Sequence, residues 1–312
     1  LGILAVVVVV DLVVVVWLGS GSLLSKGSFI FMACVAGLML AASAIQFLRF
    51  SKDGRKLSSS LGGRPASEVA DRKQKLRERL VRITASLDNL CRSAGCPVPA
   101  LNVQMNRKDI NAFACGLNPE HWCITITRGA VMNLEDQEIA ALLAHELAHL
   151  TTRDTRHALL ICAYLAGLAS ISTVCSLQAG NAGESKEGVA LAVIAFFIAF
   201  MGLGGWLVGQ LLEAHLSRRQ EFRADAEGSR LLQCTDGMVS LLRRLLLDQS
   251  GIDNSGDWDS FDAFCVKSLY FGQGARSFWF DSHPPLLDRI RALDAAEADR
   301  LRAILAERGP VQ

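Results

Sequence analysis

Hydrophobic positions gather in four blocks along the chain, and the segments between them follow different patterns. The blocks are LGILAVVVVVDLVVVVWLG (Leu1–Gly19), SFIFMACVAGLMLAASAIQFL (Ser28–Leu48), ALLICAYLAGLASISTVCSL (Ala158–Leu177) and VALAVIAFFIAFMGLGGWLVGQLL (Val189–Leu212). Each is near the ~20 residues that a helix needs to cross the hydrocarbon of a bilayer. Lipid offers a backbone no hydrogen-bond partner, so each block reads as a transmembrane helix. Asp11 interrupts the first block. A carboxylate near mid-bilayer costs roughly 3 kcal/mol, so it is either neutral and tolerated by the valine run or turned towards other helices in a functional role. A cleaved signal peptide is the rival reading of this block, because GSGS follows it. No basic stretch precedes it, so a retained anchor is preferred.

The polar segments carry shorter periods. Pro65–Gly95 reads as one long helix capped by Ser67, with Leu76, Leu80, Ile83, Leu87 and Leu90 on a single face. LNVQM and WCITIT read as strands, with Ile124 and Ile126 facing one way and Thr125 and Thr127 the other. NLEDQEIAALLAHELAHL is the next helix, with Asn133 as its cap. EAHLSRRQEFRADAEGSRLLQ continues as a helix beyond the fourth block, and SGIDNSGDWDS is a loop. PPLLDRIRALDAAEADRLRAILAERG reads as a last amphipathic helix with Pro284 in its first turn. No internal repeat is visible. The expected class is mostly α, α+β: four transmembrane helices and a catalytic domain carrying a small β-sheet. The expected division is 1–48, two spans; 49–157, the first part of that domain; 158–212, a membrane hairpin; and 213–312, its second part.

Charge orients this plan. Arg49, Lys52, Arg55 and Lys56 follow the second block, Arg153 and Arg156 precede the third, and Arg218, Arg219 and Arg223 follow the fourth. The intervening loops contribute only Lys26 and Lys186. Positive residues mark the cytoplasmic side, which therefore carries Arg49–His157 and Glu213–Gln312. A net charge of +1 over 312 residues gives no reason to expect nucleic acid as a partner. The lipid bilayer is the partner these blocks imply. Nine cysteines, an odd count with Cys34, Cys162 and Cys175 inside the blocks, fit reduced thiols rather than disulfides. Cys91 and Cys96 lie five apart and make no paired zinc motif.

Only six histidines occur, and two of them stand in ALLAHELAHLTTRD. Residues four apart share a helix face, so His145 and His149 can turn imidazole nitrogens towards one metal ion. Glu146 lies about 100° round the helix, where it can reach a water on that metal. In the two-histidine zinc hydrolases the ion acidifies that water towards ~7 and the glutamate takes its proton. A chance pattern would instead leave three polar groups unpartnered in an apolar helix, which is costly. Catalytic zinc takes three protein ligands, so one is missing. Glu213, His215, Glu221, Asp225 and His283 are the candidates. Glu221 and Asp225 share a helix face, which allows a ligand and a partner for a ligand histidine. An ordinary salt-bridged surface helix is the alternative, given the arginines around them. Spacing favours Glu221 over His283 without deciding between them.

HELAHLTTRD, a two-span hairpin, RRQEFRADAEG and DSHPPLLDRI, in that order, resemble the HtpX-type membrane zinc metallopeptidases, relatives of the CAAX prenyl endopeptidases and of mitochondrial inner-membrane stress proteases. NAFACG, ahead of the HExxH helix, is similar to that family's segment, and the likeness runs from about Leu57 to Leu293. The resemblance implies a zincin-like domain with one zinc per chain. It implies His145, His149 and Glu221 as ligands, Glu146 as catalytic base, and Asp225 as a residue orienting a ligand. It implies membrane-protein or peptide substrates, a role in quality control of damaged membrane proteins, and a bacterial inner-membrane location. A dedicated processing protease and a catalytically silent adaptor are the other functional readings. His283 is a candidate donor to the developing oxyanion or a packing residue, and Asn111 a candidate for a substrate carbonyl or a turn cap. Oligomeric state is left open.

Overall fold

The structure is a computed structural model that describes residues 37, 41–45, 47–48, 53–70, 74–156, 218–248 and 284–308. The chain divides into two compact units, Leu1–Ser51 with His157–Glu213, and Lys52–Arg156 with Ala214–Gln312. The first, third and fourth apolar blocks lie outside the described residues, as do Asp11, His283 and the loop SGIDNSGDWDS. Among the described residues no helix is long and apolar enough to cross a membrane. From the second block, residues 41–45 and 47–48 are helical, and Ile45 and Leu48 are exposed.

The second unit begins with α1 (Gly54–Ser60), β1 (Gly63–Pro65), α2 (Ala66–Ala70) and α3 (Gln74–Ala94). β2 (Ala100–Gln104), β3 (Ala112–Cys115), a 3-10 turn (Pro119–His121) and β4 (Cys123–Thr127) follow. Then come α4 (Arg128–Asn133), α5 (Asp136–Thr151), α6 (helical residues 218–232), α7 (Asp236–Asp248), α8 (Leu286–Leu293) and α9 (Ala295–Arg308). It is mostly helical with a small mixed sheet, an α+β arrangement.

The strand order is β1-β2-β4-β3. β2 and β4 are parallel, Ala100 opposite Cys123, while β1 and β3 run antiparallel to their neighbours. Among the described residues β4 is therefore interior and β3 is an edge. On one face Val103, Ile124, Ile126, Ala112 and Ala114 join the core. Thr125 and Thr127, on the other face, are buried as well. Thr125 donates to Ser58 at 2.8 Å, and Thr127 caps α4 by accepting from the Ala130 N–H at 3.2 Å. Hydroxyls can pass for an outward face in a strand when the far side of the sheet is itself covered.

α3 presents the expected stripe, with Leu76, Leu80, Ile83, Leu87 and Leu90 buried. It does not extend back to Pro65, which lies in β1 opposite Asn102. Proline lacks the N–H that an interior strand must donate, and β1 is an edge. Ser67 accordingly lies inside α2 rather than capping a long helix. α5 is buried almost all round, as a helix at the centre of a domain must be. Asn133 ends α4 instead of capping α5. Glu135 occupies the cap, and the Glu138 carboxylate accepts from its backbone N–H at 2.9 Å. Arg79 of α3 clamps this junction through the Val131 and Leu134 carbonyls and Asp136. The last expected helix is two helices. Asp294 is extended, and its carboxylate accepts from the Glu297 N–H at 3.0 Å to start α9. Pro285, not Pro284, stands at the cap of α8.

Candidate metal centre

α5 and α6 supply the centre between them. His145 and His149 fall one turn apart on α5, and Glu221 and Asp225 one turn apart on α6. The two helices come close because α6 carries Gly228 where it meets α5. A Cβ there would stand 3.2 Å from the His145 backbone N and 2.8 Å from Cε of Met238.

Three facing side chains make a tight triangle. His145 Nε2 and His149 Nε2 are 3.0 Å apart, Glu221 Oε2 lies 3.5 Å from the first and Glu221 Oε1 lies 3.5 Å from the second. Zinc bonds of about 2.0–2.2 Å at tetrahedral angles put neighbouring ligand atoms roughly 3.3 Å apart. The three separations bracket that value, so the residues fit the ion. Among the described residues, His145, His149 and Glu221 are the group that could hold a metal.

Carboxylates hold the far side of each ring. Asp225 Oδ1 lies 3.0 Å from His145 Nδ1, and Asp154 Oδ2 lies 3.5 Å from His149 Nδ1. An acceptor at Nδ1 holds a proton there and makes Nε2 the nitrogen each ring turns to the centre. Asp154 also accepts from Thr152 at 2.7 Å and pairs with Arg223. Arg289 of α8 lies wholly buried behind the triangle. It donates to Asp225 through Nε at 2.7 Å and Nη2 at 2.6 Å, and its Nη1 lies 2.9 Å from Glu221 Oε2. Burial penalises this guanidinium, but Asp225 and Glu221 outweigh the penalty and raise its pKa. Asp225 shows the converse: burial pushes its pKa up, and Arg289 and His145 bring it below the usual carboxylate range.

The remaining protonation states are split by environment. Burial lowers the His145 pKa to about 4 against the pull of Asp225. Burial would lower His149 too, but hydrogen bonds to Asp154 and Glu221 and the charges of Glu221 and Glu146 carry it up to about 10. Burial raises Glu146 to about 8, with the Ala114 backbone N–H among the groups opposing the rise. A carboxyl poised near neutrality can both take and return a proton. His149 is the open member, with 14% of its side chain exposed, against 0% for His145 and 3% for Glu221.

Sequence reasoning reached His145, Glu146, His149, Glu221 and Asp225, and the structure brings these five together. Asn111 is buried in the turn before β3. Its side chain donates to Asp109 at 3.3 Å and accepts from the Ala112 N–H at 2.9 Å. Asp154 and Arg289 were missed. Asp154 stands within HELAHLTTRD, where a carboxylate near a ligand histidine was the available clue. Arg289 shares DRIRAL with Arg291, and nothing in that pattern separates the buried arginine from the exposed one.

Comparison with known proteins identifies the family. The model of peptidase family M48 matches residues 77–297. A Protease HtpX homolog of Acidiphilium cryptum (strain JF-5) is 28% identical over 267 residues, covering 83% of this chain and 86% of that one. Another, from Gemmatimonas aurantiaca, is 31% identical over 217 residues, covering 68% and 74%. The solved structure of S. mikatae Ste24p is similar at 19% identity and a TM-score of 0.44, over 68% of this chain and 49% of that one. The match to the family model takes in His145, Glu146, His149, Asp154, Glu221, Asp225 and Arg289, and so the chain belongs to peptidase family M48 and is a metalloprotease.

Proposed function

We propose that this protein is a zinc-dependent endopeptidase of the membrane that acts on damaged or misfolded membrane proteins. The observation that carries the chemistry is the triangle of His145 Nε2, His149 Nε2 and the Glu221 carboxylate, each histidine backed at Nδ1 by a carboxylate. His145, His149 and Glu221 would hold the ion. Zinc there would supply a Lewis acid and a water acidified towards neutrality. Glu146 takes a proton at its carboxylate and passes it to the leaving amine, as its elevated pKa permits. Asp225 and Asp154 fix the imidazole tautomers, and Arg289 holds Asp225 and Glu221 in place. His283, outside the described residues, is assigned the donor to the scissile oxygen.

Substrate lies as an extended strand along β3. Among the described residues β4 is engaged on both sides and offers no edge, whereas β3 pairs only with β4. The Ala114 N–H of β3 reaches Glu146, so the edge runs beside the reacting groups. Main-chain pairing suits a protease with many targets, because the backbone is common to all of them. Asn111 shapes the turn that begins this strand. Membrane attachment draws on the four apolar blocks, on the exposed Ile45 and Leu48 in the second, and on the HtpX homologues. The quality-control role draws on the motif resemblance, as does the inner-membrane location. Arginine and lysine placement supports a cytoplasmic site.

Metal content and casein hydrolysis of purified protein test the reading. The wild type should hold one zinc per chain, and His145→Ala, His149→Ala and Glu221→Ala should each lose it. Glu146→Gln should keep zinc and lose about 10²–10⁴-fold in turnover. Full zinc and activity in Glu221→Ala would overturn the ligand set.

A further inference from the structure

Behind the β3 edge lies a second reactive group that the peptidase chemistry does not use. Cys115 of β3 and Cys123 of β4 are direct partners across the antiparallel ladder. Such partners have Cα atoms about 4.5–5.5 Å apart, inside the range a disulfide spans. Both side chains point to the face away from the α5 core, where α1 lies on them. The Cys115 thiol donates to the Gly54 carbonyl of α1 at 3.2 Å. Cys123 Sγ lies 3.8 Å from Thr125 Oγ1, which in turn donates to Ser58 of α1 at 2.8 Å. Both thiols are fully buried and free.

We propose that Cys115 and Cys123 are an oxidisable dithiol, a modification site for peroxides, whose disulfide switches the peptidase down by pulling on its edge strand. The switching rests on the peptidase reading of the site; the dithiol itself does not.

The two sulfurs divide the work. The neighbouring Cys115 thiol lowers the Cys123 pKa, against the upward pull of burial, and Thr125, Ser58 and Arg55 lower it further. Cys123 and burial raise Cys115. Cys123 is thus the attacking thiolate and Cys115 the resolving thiol. The Cys123 sulfur attacks one oxygen of hydrogen peroxide, the O–O bond breaks, and a sulfenic acid forms as hydroxide leaves. The Cys115 sulfur then attacks the sulfenic sulfur, the S–S bond forms, and the second oxygen departs as water. The sum is two thiols and one peroxide giving one disulfide and two waters. Entry to the buried pair requires α1, a seven-residue helix, to lift from the sheet.

The connection to the centre is one residue long. Ala114, beside Cys115, presents its backbone N–H to Glu146. On the other side, the Gly116 carbonyl accepts from Thr155, just beyond α5, at 3.4 Å. Drawing Cys115 towards Cys123 also breaks its bond to Gly54. The edge that receives substrate and the carboxylate that moves the proton are therefore both disturbed. The proposed metal ligands are histidines and a glutamate, so mild peroxide leaves them intact.

The test is graded hydrogen peroxide on the full-length protein in detergent. Thiols are then blocked with N-ethylmaleimide and the chain is cut after glutamate, which separates the two cysteines at Glu120. A linked Cys115–Cys123 peptide, released by dithiothreitol, is expected. Casein hydrolysis should fall in proportion to the linked fraction and recover on reduction. Cys123→Ser, checked for folding by circular dichroism, should keep basal activity and ignore the same peroxide; Cys123→Ala serves if serine is not tolerated. Absence of the linked peptide at peroxide levels that oxidise the exposed Cys234 would overturn the dithiol. A linked peptide with unchanged hydrolysis would overturn the switch. Protein that forms the peptide but never hydrolyses casein would instead count against the peptidase reading.

Discussion

Arg289 and Asp225 meet in a two-point contact at complete burial, Nε to Oδ2 at 2.7 Å and Nη2 to Oδ1 at 2.6 Å. The same guanidinium neutralises Glu221, so one cation serves two carboxylates behind the proposed ligands. Removing one partner of a buried ion pair leaves charge without compensation, at a cost of about 3–5 kcal/mol. Arg289→Met should therefore lower stability by that order in urea unfolding. It should also weaken zinc binding by about 10–100-fold, as loss of support behind a ligand does. Arg289→Lys should rescue little, because an ammonium cannot span both Asp225 oxygens and Glu221 at once. Native zinc affinity in the lysine variant would mean that charge alone is enough.

Gly228 sets the approach of α6 to α5. A Cβ there would meet the His145 backbone N at 3.2 Å, a contact the backbone cannot relieve by rotating a side chain. Gly228→Val should push the helices apart, so that Glu221 no longer closes the triangle with both histidines. Zinc stoichiometry should drop while helical content by circular dichroism holds. Gly228→Ser should be milder. A valine variant with full zinc would show that α6 can shift without losing its ligand.

Helical spacing made much of this centre legible, because each pair of residues lies one turn apart on its own helix. The stripe of α3 was legible for the same reason: it depends only on local period. What escaped notice depends on tertiary contact. Arg289 and Arg291 look alike in sequence, and only the packing of α8 decides which is buried. The paired strand β1 escaped because it is three residues long and ends in proline. β3 lies in NAFACG, which stood out only through the family resemblance, and that it rather than β4 forms the edge is a matter of strand order, which no period records. The break at Asp294 was hidden because its cap uses the same residue types as an exposed helical face.

The orientation proposal has a direct test. If positive residues mark the cytoplasmic side, tags after Lys56 and at Gln312 should be protected in intact cells, and one at Asn181 should be reachable from outside. Moving basic residues into the Leu177–Val189 loop should weaken this pattern. Protection of the Asn181 tag with exposure of the other two would reverse the assignment.

The metal-free protein should have a pH dependence set by the site. His149 has its pKa raised from 6.5 to about 10 in the fold. A raised folded pKa gives stability that is fully present below the unfolded value and is lost as pH rises through the folded one. Its contribution therefore holds below 6.5 and disappears by about pH 10. Glu146, raised from 4.5 to about 8, has the same sign, and its contribution is lost between those values. His145, lowered from 6.5 to about 4, has the opposite sign, but its gain is complete by pH 6.5. Of these three groups, only the two losses operate above that pH. The Tm of zinc-stripped protein should thus fall between pH 6.5 and 10 more steeply than that of a His149→Gln variant, which lacks the larger part of the effect. Asp154→Asn should flatten the slope as well, since Asp154 is a main support of the His149 proton. Zinc reverses the situation, because a ligand histidine must give up its Nε2 proton. Titration of zinc at pH 7 should therefore release a proton, seen as a binding enthalpy that varies with the ionisation heat of the buffer. A stripped protein whose Tm rises from pH 6.5 to 9 relative to His149→Gln would show that His149 is neutral before the metal arrives.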